Sequence, residues 1–219
     1  MPLVYQQNIN ETTKLGVWHI AEPENFFLKL VPLQREITHP HKRLQHLAGR
    51  YLLKELYPDF PYGMVRIADT RKPFLENEAY HFSISHSSDY AAVMVSSTCR
   101  VGVDVESVSE KVIKIKNKFL SAIEMDMVES LGAHSFTHHQ SSALLTLAWS
   151  IKESLFKWHG SGGVDFKEQL VIEEIILNDQ QGIAHCKLLK GDAIQLTVHF
   201  LLFNDKCIAW VFSDVLQVS

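Results

Sequence analysis

Cysteine is scarce in this chain: Cys99, Cys186 and Cys207 stand far apart and form no Cys-x-x-Cys pair. That spacing argues against a zinc site or a disulfide framework and points to a reducing compartment. Long apolar runs are also missing, and none approaches the roughly 20 residues that a bilayer-spanning helix needs. The first 14 residues are polar and lack the basic-then-apolar order of a signal peptide, so a cytoplasmic protein without a membrane partner is expected. Neither sign of charge dominates. Lys and Arg number 21 against 25 Asp and Glu, a formal net charge of −4 that argues against a nucleic-acid coat. What remains is the composition of an ordinary globular protein, 46% hydrophobic and 21% charged, in 219 residues that suit one domain or two small ones.

Within that background the stretch Val101-Gly102-Val103-Asp104-Val105-Glu106 stands out. Its strict alternation predicts a strand with three valines on one face and Gly102, Asp104 and Glu106 on the other. Same-face residues of a strand sit roughly 7 Å apart. Two carboxylates at that spacing beside a glycine make half of a cage for a hard cation such as Mg²⁺. A half-buried strand with a polar outer face is the plainer reading of the same pattern.

Earlier in the chain, residues 15–21 read as a first strand and residues 38–57 as a helix. Thr38 is placed to cap that helix, Pro40 suits its first turn and Pro58 closes it. Leu44, Leu47, Ala48, Tyr51 and Leu52 form a buried stripe, while Arg43, His46, Arg50 and Lys54 share another arc. That arc reads either as a solvated basic face or as a grip on a phosphate. A basic turn, Thr70-Arg71-Lys72-Pro73, precedes strand signals at 80–85, running into His86, and at 90–96. Together with the 101–106 strand these predict an antiparallel meander that brings His86 and Glu106 to one sheet edge, roughly 10 Å apart.

Residues 113–131 read as one or two helices carrying Phe119-Leu120-Ser121 and Glu124. His134, His138 and His139 fall in a Ser/Thr/Gln-rich segment read as a loop, without the fixed spacing of a metal site. From Ala143 to His159 a helix is strongly patterned, with Leu144, Leu147, Ala148, Ile151, Leu155 and Trp158 as its core stripe. Trp149, Lys152, Glu153, Phe156 and Lys157 occupy another face, where Glu153 and Lys157 could be a simple surface pair one turn apart. Gly160-Ser161-Gly162-Gly163 follows this helix and so reads as a cap and turn, not a phosphate loop. The remaining runs, at 170–177, 184–189, 194–203 and 207–212, predict a second antiparallel sheet. Leu47-Ala48 and Leu147-Ala148 open the two amphipathic helices alike, a faint echo of an internal duplication.

In combination these pieces resemble the 4′-phosphopantetheinyl transferases, specifically the longer, monomeric surfactin-synthetase-activating type. The matching motifs are Leu47-Ala48-Gly49-Arg50, Lys72-Pro73, Phe82-Ser83-Ile84-Ser85-His86-Ser87, the 101–106 strand, Phe119-Leu120-Ser121 with Glu124, and Trp149-Ser150-Ile151-Lys152-Glu153-Ser154 with Lys157. The resemblance implies an α+β fold of two pseudo-duplicated halves with antiparallel sheets, residues 1–107 and 108–219, and an active site in the cleft between them. It implies transfer of the phosphopantetheine arm of coenzyme A to a serine of an apo carrier protein, releasing adenosine 3′,5′-bisphosphate. By the same resemblance Asp104, Glu106 and Glu153 would hold Mg²⁺. Lys157 would contact the pyrophosphate and help the leaving group, with Lys152 nearby. His86 and basic residues of the first half, among them Arg43, Arg50 and Lys72, would bind the nucleotide and its 3′-phosphate. Arg71 stands where members often carry a glycine before Lys-Pro, so a different loop geometry is expected there. A Mg²⁺-dependent phosphodiesterase or nuclease, and a non-catalytic carrier- or nucleotide-binding module, are the competing readings.

Overall fold

Two long helices, each laid on a sheet, carry the architecture of this protein. The computed structural model describes all residues except 1, 32, 34, 35, 134–137 and 215–219, and at 133 and 138–140 it describes the backbone alone. In chain order the elements are β1 (Leu3–Asn8), β2 (Thr13–His19), α1 (Glu24–Leu28), α2 (Pro40–Leu56), β3 (Val65–Ile67), β4 (Pro73–Leu75), β5 (His81–Ser87) and β6 (Tyr90–Ser96). They continue with β7 (Cys99–Ser107), α3 (Lys111–Phe119), α4 (Ala122–Ala133), α5 (His138–His159), β8 (Leu170–Asn178), β9 (Gln181–Leu188), β10 (Ile194–Phe203) and β11 (Lys206–Asp214). Contacts divide the chain into residues 1–101 with 214–219, and residues 102–213. Asp104, Glu106, Glu153 and Lys157 therefore belong to one unit.

In the first unit, α2 lies on a four-stranded antiparallel sheet of order β1-β2-β6-β5. Pro40 occupies the first turn, where its missing N–H costs nothing. The cap is His39, not Thr38: its ring accepts from the Lys42 backbone N–H at 3.4 Å. Leu47, Ala48, Leu52 and Leu53 are fully buried. Gly49 lets the helix approach β5 closely, because a Cβ there would stand 2.7 Å from Ile84 Cγ2. Strand β1 and helix α1 had no counterpart in the sequence reading, and most of β1 is exposed, so it lacks an apolar alternation.

The predicted meander holds only in its first half. β5 and β6 pair as a hairpin closed by Ser87↔Tyr90. The other edge of β6 is taken by β2, from Thr13↔Ser96 to His19↔Tyr90, and β7 pairs with β11 instead. The physical reason lies in β6, whose residues 91–96 are all buried, so both its edges and both its faces need partners. The one-strand gap expected between His86 and Glu106 is thereby corrected.

The second unit sets α5 against a five-stranded sheet of order β7-β11-β10-β9-β8, in which β8 to β11 run antiparallel. Leu147, Ala148, Ile151 and Trp158 of the predicted stripe are fully buried. Helix α5 begins at His138, five residues before the expected start, which puts His138 and His139 in a helix and leaves His134 outside the described residues. At its far end Gly160 turns left-handed at φ 75°, and its N–H reaches Phe156 O at 3.0 Å, as a capping glycine does. Helices α3 and α4 are separated at Ser121, whose N–H donates to Glu124 Oε2 at 2.7 Å while its Oγ accepts from Glu124 N–H at 3.3 Å. That is a capping box, and it explains why residues 113–131 cannot form one helix. Among the described residues, no helix is long and apolar enough to cross a membrane.

Candidate active site

The site begins with the absence of a side chain. A Cβ on Gly102 would lie 2.1 Å from Ser154 O and 2.6 Å from Trp158 N, so β7 rests directly on the backbone of α5. The polar face of the strand is consequently covered: Asp104 is 2% exposed, which sets aside the plainer reading of a polar outer face. Lys157 does not pair with Glu153 along the helix. Its Nζ donates to Asp104 Oδ1 across the seam at 2.6 Å, and Lys157 itself stays about one quarter exposed at 24%.

Glu153 stands one helical turn before Lys157. Burial raises its pKa to about 7; Lys157 opposes the rise, and the charges of Asp104 and Glu106 add to it. The two strand carboxylates and the helix carboxylate thus feel one another electrostatically. They do not form a closed cage, for among the described residues no three His, Cys, Asp or Glu side chains make a group that could hold a metal ion as they stand. In donor chemistry the set fits Mg²⁺, being three hard oxygen ligands beside one ammonium.

Aromatic rings flank this face. Phe166, in the segment after α5, stacks on Trp149 at 5.4 Å and 21° and meets Phe156 at 5.3 Å, while Phe119 meets Trp149 edge-on at 5.1 Å. Trp149 and Phe156 are accounted for in this way, as two walls holding Phe166. Phe166 belongs to none of the sequence motifs.

Lys152 is displaced from the role the resemblance gave it. Its side chain is 0% exposed, and Nζ donates to Phe119 O at 2.6 Å, Phe166 O at 2.8 Å and Glu124 Oε2 at 2.9 Å. Three donors meet acceptors on three segments inside the protein, which leaves none for a pyrophosphate. Burial lowers the pKa of this ammonium and the Glu124 hydrogen bond opposes the drop. Glu124 is itself a hub, since Oε1 accepts from Ile172 N–H of β8 at 2.9 Å and Oε2 serves the Ser121 cap. The signal for it was present in the sequence as Ser-x-x-Glu spacing.

The basic residues of the first unit have divided fates. Arg43 Nε is paired with Glu24 at 2.8 Å and its Nη1 donates to Ile37 O at 2.8 Å. Arg50 is 7% exposed and hydrogen-bonded to the Tyr62 hydroxyl. His46 is also buried while Lys54 is half-buried, so the arc is not a fully solvated face. His86 is exposed at the end of β5, beside the neighbouring Ser85, which is buried. Lys72 is held down to about 8 by burial first and by the nearby charge of Arg100 second. Arg71 adopts φ 66°, the left-handed conformation that favours glycine.

A sequence profile of the 4′-phosphopantetheinyl transferase superfamily matches residues 100–211, from β7 through β11. The chain is similar to 4′-phosphopantetheinyl transferase gsp of Aneurinibacillus migulanus, 34% identical over 116 residues that cover 53% of this chain and 46% of that protein. It is similar to enterobactin synthase component D of Salmonella austin, 31% identical over 116 residues, 53% of this chain and 47% of that one. With 4′-phosphopantetheinyl transferase AcpT of Salmonella typhimurium the identity is 28% over 161 residues, 72% of this chain and 76% of the relative. The chain spans about half the length of the first two of these relatives. The profile match covers more than half of the residues and contains the whole Asp104–Glu153–Lys157 seam, and on that ground the chain belongs to the 4′-phosphopantetheinyl transferase superfamily.

Proposed function

We propose that this protein moves the phosphopantetheine arm of coenzyme A onto a serine hydroxyl of an apo carrier protein, releasing adenosine 3′,5′-bisphosphate. The observation that carries the reading is the seam itself, in which Lys157 meets Asp104 at 2.6 Å within the segment matched by the superfamily profile. Phosphoryl-type transfer needs an oriented nucleophile, neutralised phosphate oxygens and help for the departing oxygen. Asp104, Glu106 and Glu153 would hold Mg²⁺, which supplies charge neutralisation on the pyrophosphate when bound.

The side chains supply the rest. The serine oxygen forms a bond to the phosphorus on the pantetheine side, and the bond from that phosphorus to the bridging oxygen of the leaving group breaks. Glu153, or a water held beside it, would take the serine proton. Lys157 has the freedom to leave Asp104 and stabilise, or protonate, the departing phosphate, because it is a quarter exposed at 24%. Phe166, packed against Trp149 and Phe156, gives the helix that carries Glu153 and Lys157 an apolar flank.

The halves also support a duplicated origin. Leu47-Ala48 on α2 and Leu147-Ala148 on α5 are all 0% exposed, and each helix meets a strand at a glycine contact, Gly49 with Ile84 and Gly102 with Ser154. The deciding experiment is intact mass of an apo carrier after incubation with the protein. A gain of one phosphopantetheine is expected only with coenzyme A and Mg²⁺ both present. No gain with any of a panel of fatty-acid, polyketide and peptide carriers, or undiminished transfer in excess chelator, would count against it.

A further inference from the structure

The contact between β7 and α5 raises a mechanical question. At Gly102 the strand touches the helix at Ser154 O, at Trp158 N and at the first side-chain carbon of Trp158. That contact sets the distance between the two elements and the buried stripe of α5 sets which face meets the sheet, but apolar packing leaves room for small rotations of α5 about its own axis. Rotation matters here. A turn of about 20° would move a side-chain tip lying roughly 7 Å from the helix axis by about 2.4 Å, enough to break the 2.6 Å contact of Lys157 with Asp104.

We infer that the buried Glu124–Lys152 pair is the rotational key of the site, a positioning device that aims Glu153 and Lys157 at β7. Lys152 precedes Glu153 in the chain and is turned about 100° from it on the helix. Its ammonium is held by Phe119 O at the end of α3, by Glu124 on α4, and by Phe166 O in the segment that follows α5. Glu124 in turn is fixed by the Ser121 N–H and by Ile172 N–H of β8. Five segments thus converge on one ion pair, and only one azimuth of α5 satisfies them all. A fully buried lysine is an expensive choice for stability alone, since apolar residues of similar volume often serve a core equally well. Its use is specificity of orientation.

This inference rests on the proposed reaction for its purpose, but its test does not. The first measurement is the coupling between Asp104 and Lys157, taken by denaturant unfolding of a double-mutant cycle with Asp104→Asn and Lys157→Met. The cycle is run in the native background and again in a Lys152→Met/Glu124→Gln background, which leaves no lone buried charge and so keeps a folded core. A Lys152→Gln/Glu124→Gln background, equally free of a lone buried charge, serves the same purpose if the first fails to fold. Coupling is expected in the native background and is expected to vanish in the altered one. A lysine that merely stabilises the fold would lower all four members of the cycle alike and leave the coupling intact, and that result overturns the inference.

The second measurement is steady-state transfer well below the melting temperature of the altered protein. kcat is expected to fall about 100-fold while KM for coenzyme A changes less than about 3-fold, the pattern of a misaimed transition-state group. Rescue is expected from restoring Lys152 and Glu124 together and not from restoring either alone. An unchanged kcat would refute the positioning role, whereas a native protein that transfers nothing would refute the reaction and leave the coupling result standing.

Discussion

The acidic seam of the second unit and the basic arc of the first were both legible as residues sharing a face, yet the two faces are packed in different ways. Asp104 and Glu106 sit on a strand whose partner helix is brought within backbone contact by Gly102, so their neighbours are forced to be α5 side chains. Arg43, His46 and Arg50 share an arc of α2, but the arc is turned inward or tied locally, to Glu24, Ile37 O and Tyr62. A shared face says which residues travel together. It does not say whether the face meets solvent, ligand or core, and a close-contact glycine on the same strand is the extra information that decides it.

The sharpest way to break this contrast is Asp104→Asn. Transfer is expected to fall on the order of 10³-fold or more, because one oxygen of the charge-balancing set is lost. The rise in melting temperature that Mg²⁺ gives the native protein should disappear with it. Thermal unfolding with chelator and with Mg²⁺ checks both; a variant that keeps the Mg²⁺ shift would remove Asp104 from the ligand set. Folding should suffer less than activity. Removing one partner of a fully buried pair costs about 3–5 kcal/mol, but Lys157 can turn to water here, so the loss should lie well below that range.

Lys157→Met tests the same seam from the helix. A drop in kcat of about 10²-fold with a nearly unchanged KM is expected if Lys157 acts mainly on the transition state. A raised KM at normal kcat would make it a binding contact only.

Arg50→Met tests the other arm of the contrast. A structural arginine should cost stability, about 1.5–3 kcal/mol for a charge-assisted hydrogen bond, and leave the preference for coenzyme A over its 3′-dephospho form untouched. The ratio of kcat/KM values for the two substrates is the measurement. Loss of that preference would return Arg50 to the nucleotide and weaken the contrast itself.

How far the sequence could be read follows from the same physics. The four C-terminal strands were located as apolar runs, which a strand paired in a covered sheet carries whether it alternates, as β9 and β10 do, or is buried over six successive residues, as β11 is; the stripe of α5 was located because one of its faces meets that sheet. β1 was not, since a mostly exposed edge strand carries no such alternation. The partner of β7 was not, because pairing depends on which edges are left open once β2 has taken β6. The juxtaposition of Asp104 with Lys157, one helical turn beyond Glu153, lay behind two motifs that spacing alone picked out. Lys152 was misassigned because a lysine beside a glutamate on a helix gives no sign that its own direction is inward, toward Glu124.

Lys72 offers a smaller and more graded test in the basic set. Burial and the charge of Arg100 hold its pKa at about 8, below the ordinary 10.5, so the folded protein sheds this proton more readily than the unfolded chain. Below about pH 8 the charged form is carried at a cost; between about 8 and 10.5 stability on this account rises with pH. Lys72→Met should therefore melt higher than the native protein at pH 7, with the difference shrinking as pH rises through that window. Coenzyme A should protect the native protein more than the variant. Equal protection would show that Lys72 does not touch the ligand, and would group it with Arg50 as a residue of structure.

The smallest expected effect is at Arg71, in the turn that joins β3 to β4. At φ 66° a side chain crowds its own backbone, a conformation that costs a non-glycine residue about 1–2 kcal/mol. Arg71→Gly removes that crowding but gives the unfolded chain more freedom, worth about 0.5–1 kcal/mol in the opposite direction. The difference favours the glycine by up to about 1.5 kcal/mol, at about 2–4 °C per kcal/mol in a protein of this size. The turn itself should not move, because its closing hydrogen bonds, Arg71 N to Ala68 O at 2.8 Å and Ala68 N to Lys72 O at 2.9 Å, belong to the backbone. Calorimetry of the two proteins reads the gain, and transfer kinetics read whether the arginine side chain had a task of its own. A higher melting temperature with unchanged KM for coenzyme A would mark Arg71 as strain without function. A higher melting temperature with a raised KM would mean that the turn holds an arginine in a glycine's conformation to reach the substrate, and the basic set of the first unit would then have its clearest member in a residue that no helical stripe pointed to.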